Sequence, residues 1–139
     1  DDLAAQRREE VRDALGRLDG AAGVALGQLV ADLGLAGVNA TRDPGVVRAL
    51  VGKAGYCALV EPPQTTQMMH DGRSFGVDLD VRVVVKPPGG FDEWAPAYGI
   101  IGAVHRVTGA VETYRELYQS NEITMPSMMF TAHRTFTEE

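Results

Sequence analysis

From Phe75 to Val85 the chain alternates without a fault. Phe75, Val77, Leu79, Val81, Val83 and Val85 share one parity, and Gly76, Asp78, Asp80, Arg82 and Val84 the other. A period of two places successive side chains on opposite sides of a strand, so this segment reads as a β-strand with one face buried. It runs into Pro87-Pro88-Gly89-Gly90, a stop signal. A second strand-like run, Tyr56-Cys57-Ala58-Leu59-Val60-Glu61, precedes it and also ends in a proline pair, Pro62-Pro63. A last strand is read in Met128 to Thr137, bracketed by Pro126 and the acidic end. A strand of this kind must lay its apolar face on something, and the rest of the chain supplies helices to cover it.

The first 35 residues read as a helix, with Val11, Leu15, Leu18, Ala22, Leu26, Leu29 and Leu33 spaced by three and four. The more heavily charged opening, Asp1 to Arg12, is expected to fray. Gly16, Gly20, Gly23 and Gly27 lie inside this helix at about 1 kcal/mol each relative to alanine. Two readings account for them: a flank that lets another backbone come close, from the sheet or a neighbouring subunit, or a break near Asp19-Gly20 into two shorter helices. Val46 to Val51 is a short extended or helical stretch. Gln64 to Arg73 is too long for a tight hairpin and reads as a mobile loop. After Gly90, Asp92 is the expected N-cap of a second long helix. Its face is traced by Trp94, Tyr98, Ile101, Val104, Thr108, Val111, Tyr114 and Leu117, with a bend at Gly109. The expectation is one α+β domain spanning residues 1–139: a small, mainly antiparallel sheet packed with two long helices.

The totals narrow the class of function. With 45% hydrophobic and 23% charged residues, and no run approaching a bilayer span, the chain is expected to be soluble, with no membrane partner. No basic and then apolar leader is seen, and a single Cys57 allows no intramolecular disulfide, so assembly in a reducing cytoplasm is expected. The net charge of −6 has the wrong sign for gripping nucleic-acid phosphates, and the right one for a surface that DNA slides past.

Chemistry-bearing residues are sparse. His70, His105 and His133 fall on a loop, a helix and a strand without the spacing of a shared metal site. Cys57 alternates with Leu59 and reads as a small core residue. Asp78 and Asp80 lie on the polar parity of the strand, where a solvated face or an ion pair to Arg82 or Lys86 is the ordinary outcome. Gly20-Ala-Ala-Gly23 lies in a helical register, not between a strand and a helix as a phosphate loop requires. Asn39-Ala40-Thr41 matches a glycosylation acceptor by chance. No catalytic, cofactor or metal site is therefore expected, and no enzyme. Met68 and Met69 beside His70, and Met125, Met128 and Met129 at the last strand, are the candidate interface residues, with core filling as the alternative.

Taken in order, the long first helix, Asn39-Ala-Thr-Arg-Asp-Pro44, Cys57-Ala-Leu-Val-Glu-Pro-Pro63, the alternating strand into Lys86-Pro-Pro-Gly-Gly90, a long helix and a strand after Met125-Pro126 make a pattern covering nearly all of the chain. It resembles the tail terminator proteins of long-tailed bacteriophages, especially those of actinobacteria. The resemblance rests on order, length and proline punctuation, and it carries no catalytic residue. It implies a virion structural protein: a homohexameric ring at the head-proximal end of the tail. Such a ring ends polymerisation of the major tail tube protein and offers a surface to the neck or head-tail connector protein. Genomic DNA would pass through its lumen without specific binding. Two other readings stay open: a neck or head-completion ring, and a small-molecule-binding or enzymatic α+β dimer with a deep pocket lined by His105 and Tyr98.

Overall fold

The computed structural model describes residues 2–62, 65–68, 74–110, 112–120 and 123–137. Helix α1 (Asp2–Leu35) is followed by β1 (Ala40–Thr41), a 3-10 turn (Pro44–Val46), α2 (Val47–Ala54), β2 (Tyr56–Val60), β3 (Thr65–Met68), β4 (Ser74–Val85), α3 (Phe91–Thr108), β5 (Thr113–Ser120) and β6 (Ile123–Thr137). The class is α+β. The sheet runs β1-β2-β4-β6-β5, with β3 pairing β4 beyond the end of β2. Every pairing is antiparallel except β1 with β2.

The β4 alternation holds on its apolar side. Val77, Leu79, Val81, Val83 and Val85 are fully buried, packed with Phe130 and Ala132 of β6 under Leu29 and Leu33 of α1 and Trp94 and Val104 of α3. The other side is not simply solvated. Val84 joins Cys57 and Leu59 of β2, Val47 and Val51 of α2, and Tyr118 and Met125 of the β5–β6 hairpin in a second buried cluster. The sheet thus lies between two long helices on one face and the short α2 on the other, and β4 is covered on both sides at its Val84 end.

Several sequence expectations are corrected. Helix α1 is continuous from Asp2 and does not break at Asp19-Gly20. A Cβ placed on Gly20, Gly23 or Gly27 would meet nothing within 4 Å, so the sheet does not approach this flank. The segment Gln64 to Arg73 is not all loop, since Thr65–Met68 forms a strand on β4. The helix predicted to run through Tyr114 and Leu117 ends at Thr108. Gly109 caps it in the left-handed region (φ 70°), and Thr113–Ser120 is a strand paired with β6. Gly90, not Asp92, is the N-cap, and its N–H donates to Glu93 Oε1 at 3.1 Å. Pro126 lies inside β6, opposite Leu117. It is tolerated there because the β4 ladder stops at Ser127, so its missing N–H costs no bond on that side.

Candidate functional site

The polar parity of β4 organises the face that carries α2. Asp78 Oδ1 lies 2.6 Å from His133 Nδ1, and Asp80 accepts from the Thr131 hydroxyl at 3.1 Å, both across the β4–β6 register. Arg82 ties together four elements. Its Nε donates to Glu61 Oε1 at 2.6 Å, just past β2, and one terminal nitrogen donates to Ser127 Oγ of β6 at 3.1 Å and to the Leu117 carbonyl of β5 at 3.5 Å. The other lies 3.6 Å from Glu116 Oε2, and the guanidinium sits 5.6 Å from the Tyr118 ring centroid. A planar fork with five donors can hold such a divergent set, which a lysine could not. The Ser127 hydroxyl in turn donates to the Glu116 carbonyl. Arg82 therefore clasps the β5–β6 hairpin onto β4 and the end of β2. Of the two outcomes expected for Asp78 and Asp80, a solvated face or an ion pair to Arg82 or Lys86, Asp78 stays partly solvated beside His133, while Asp80 is nearly buried and is engaged by Thr131 of β6.

Clasped in this way, β5 forms one edge of the sheet. Among the described residues no strand pairs its outer side. Along it Tyr114 is 57% exposed and Leu117 59% exposed. Beside it lies a cavity of about 260 Å³ between the Pro88-Gly89 turn, Trp94 of α3, Arg115 to Leu117 of β5, and Pro126 and Ser127 of β6. The Arg115 guanidinium stacks over Trp94 at 5.0 Å, and Tyr98 and Phe91 extend the aromatic surface along the start of α3. A second cavity of about 170 Å³ opens between Arg42, Pro44, Leu59 to Pro62 and Tyr118 to Ser120.

The candidate interface methionines are dispersed. Met68 lies in β3 opposite Phe75, and Met69 and His70 fall outside the described residues. Met125 and Met129 are 8% and 2% exposed, and Met128 packs partly buried against the main core. Core filling accounts for Met125 and Met129, which offer little surface in the protomer. His105 Nδ1 donates to the Ala110 carbonyl at 2.9 Å, and the ring meets Phe130 edge-on at 4.9 Å. Neither cavity is lined by His105 or Tyr98. Cys57 is fully buried, as a core residue should be. The β5 edge, the most exposed feature of the sheet, was missed because its apolar residues mimic helical spacing. Thr113, Tyr114 and Tyr118, residue types that favour strands, shortly after a Gly109 stop, were the available signal.

No protein-family model matches this chain, and neither the curated proteins nor the solved structures contain a match.

Proposed function

We propose that this chain is a virion structural protein, a tail terminator that closes into a ring at the head-proximal end of a long-tailed phage's tube. The observation that carries the reading is the β5 edge. It is an eight-residue strand that exposes Tyr114 and Leu117 on either side of the charged Arg115 and Glu116, and no strand pairs its outer side among the described residues. Soluble monomers usually shorten, charge or cover such an edge, because it invites another chain to pair with it. A ring subunit needs surfaces that a lone copy leaves unsatisfied. The order of elements that underlies the resemblance supports the same reading, as does the acidic balance, which would let DNA move through a lumen without adhering. Self, tube protein and neck connector are the partners in this reading.

Deleting the gene from the phage that carries it tests the proposal. Tails that overgrow their normal length, or that fail to accept heads, are expected. Tails of normal length joined to heads would refute it.

A further inference from the structure

Successive side chains of β5 point to opposite faces of the sheet. Tyr118 packs in the cluster beside α2 and Glu116 reaches Arg82 on that same face, so Arg115 and Leu117 lie on the other, toward α3. There they border the cavity of about 260 Å³ whose far walls include the Pro88-Gly89 turn, Trp94 and Pro126. Exposed Phe91 and Tyr98 carry the aromatic surface on beyond Trp94, and exposed Leu117 bounds the cavity on the β5 side. Apolar surface gathered in this way marks a contact rather than a scatter of single exposed residues.

The charge beside it narrows what makes the contact. The Arg115 guanidinium is held 5.0 Å from the Trp94 ring centroid, yet among the described residues no carboxylate, carbonyl or hydroxyl accepts from it. Arg82, on the opposite face, is by contrast engaged by Glu61, Ser127 and Glu116. A guanidinium fixed in place with its N–H fork free is suited to a carboxylate. The size of the hollow narrows the occupant further. About 260 Å³ falls below the roughly 300–1,000 Å³ of small-molecule sites and suits one apolar side chain. Alongside runs a strand whose outer side no described strand pairs. Main-chain hydrogen bonds hold an extended peptide to such an edge, and pockets for alternate side chains select which peptide. A side chain opposite Arg115 and one opposite Leu117 lie two residues apart on the same face of that peptide.

We infer that the β5 edge receives an extended segment of a partner as an added strand, one that brings a carboxylate to Arg115 and, two residues away, an apolar side chain to the cavity at Trp94. This rests on the reading of β5 as a contact edge, and it adds the chemistry of what the edge receives.

The probe is the capped peptide acetyl-Thr-Glu-Thr-Phe-Thr-Glu-Thr-amide, which presents a carboxylate two residues from an aromatic ring whichever way it runs along β5. Titrated into the isotope-labelled full chain, it should shift the amide resonances of residues 113–117 and the Trp94 indole N–H, and saturate by about 5 mM. Replacing both peptide glutamates by glutamine should weaken binding to the wild type about tenfold or more, and leave binding to Arg115→Gln unchanged, because there the charge partner is already gone. Replacing the phenylalanine by alanine should weaken binding to both proteins. A strand presents the N–H groups of alternate residues to one side. Of two peptides, one N-methylated at Glu, Phe and Glu and the other at the inner threonines, one should therefore bind and the other should not. No saturable shift overturns the inference, as do equal affinities of the glutamate and glutamine peptides for the wild type, or equal effects of the two methylated peptides. The glutamine peptide is read on the wild type, so the outcome does not depend on how Arg115→Gln folds. Tail length in the gene deletion bears on the ring and leaves this titration untouched, so the two can fail separately.

Discussion

Neighbouring residues of β4 differ sharply in what they can tolerate. Val81 is fully buried in the main core, and Val81→Asp would put a carboxylate there with no partner, at a cost of several kcal/mol. Asp80 next to it is 9% exposed, yet its role is to accept one hydrogen bond from Thr131, which an asparagine oxygen can also do. Asp80→Asn should therefore stay within about 1 kcal/mol. Denaturant melts of the two variants check this, and equal losses would mean that both faces depend on apolar packing. Cys57 offers a pH test. Burial keeps its thiol protonated and pushes its pKa from 9.0 up to about 12. The folded state thus holds this proton more tightly than the unfolded chain does. The contribution is intact below about pH 9 and is lost as pH rises from about 9 toward about 12, where the unfolded thiol ionises first. Melts of wild type and Cys57→Ala across that window should show a steeper fall of stability with pH in the wild type. Thiol reagents at pH 8 should label Cys57 only after unfolding.

Turns and strand ends decide how the elements meet. Gly89 has φ 85°, and a Cβ there would lie 2.5 Å from Pro126 Cγ. Gly55, also at φ 85°, would meet Pro96 Cγ at 2.7 Å. Both residues sit where the start of α3 crosses the end of the sheet, so Gly55→Ala and Gly89→Ala each combine left-handed strain with a clash against a ring that cannot swing away. A loss of about 1–3 kcal/mol is expected from each in a thermal or denaturant melt, and a loss below about 0.5 kcal/mol would mean that the crossing is loosely packed. These contacts could not be read from the sequence, although α1, β2, β4 and the end of β6 could, because their apolar periods are long and local. β5 was hidden by Val111, Tyr114 and Leu117, which fall three apart as on a helix while Gly109 ends the real one. β3 was hidden because Thr65-Thr66-Gln67 has no alternation of its own, its place being set by pairing with β4. The Arg82 clasp was hidden for a third reason. Glu61 and Ser127 lie 21 and 45 residues from Arg82, and only the folded sheet brings them together.

The whole molecule separates what holds it together from what it presents. Its two cores are built from α1, α2, α3 and the inner strands, and the exposed side chains of β5 belong to neither. Leu117 shows the division most clearly. It is 59% exposed and stands opposite Pro126 on the edge of the sheet, so replacing it removes little buried area. Leu117→Lys should change stability by no more than about 0.5 kcal/mol, the range of surface substitutions away from special features. A lysine in the middle of an edge strand is nevertheless one of the devices that keeps a second strand from pairing, because its charge would have to be desolvated between two chains. If β5 is the surface through which copies meet on the tail, this variant should fold, melt with the wild type and fail to assemble. Six copies of the 14.9 kDa chain would form a particle of about 89 kDa on the tube. Complementing the gene deletion with Leu117→Lys should leave that particle absent from purified tails and the tails without heads. Full complementation by a well-folded Leu117→Lys protein would remove β5 from the assembly, and with it the observation on which the ring reading chiefly rests.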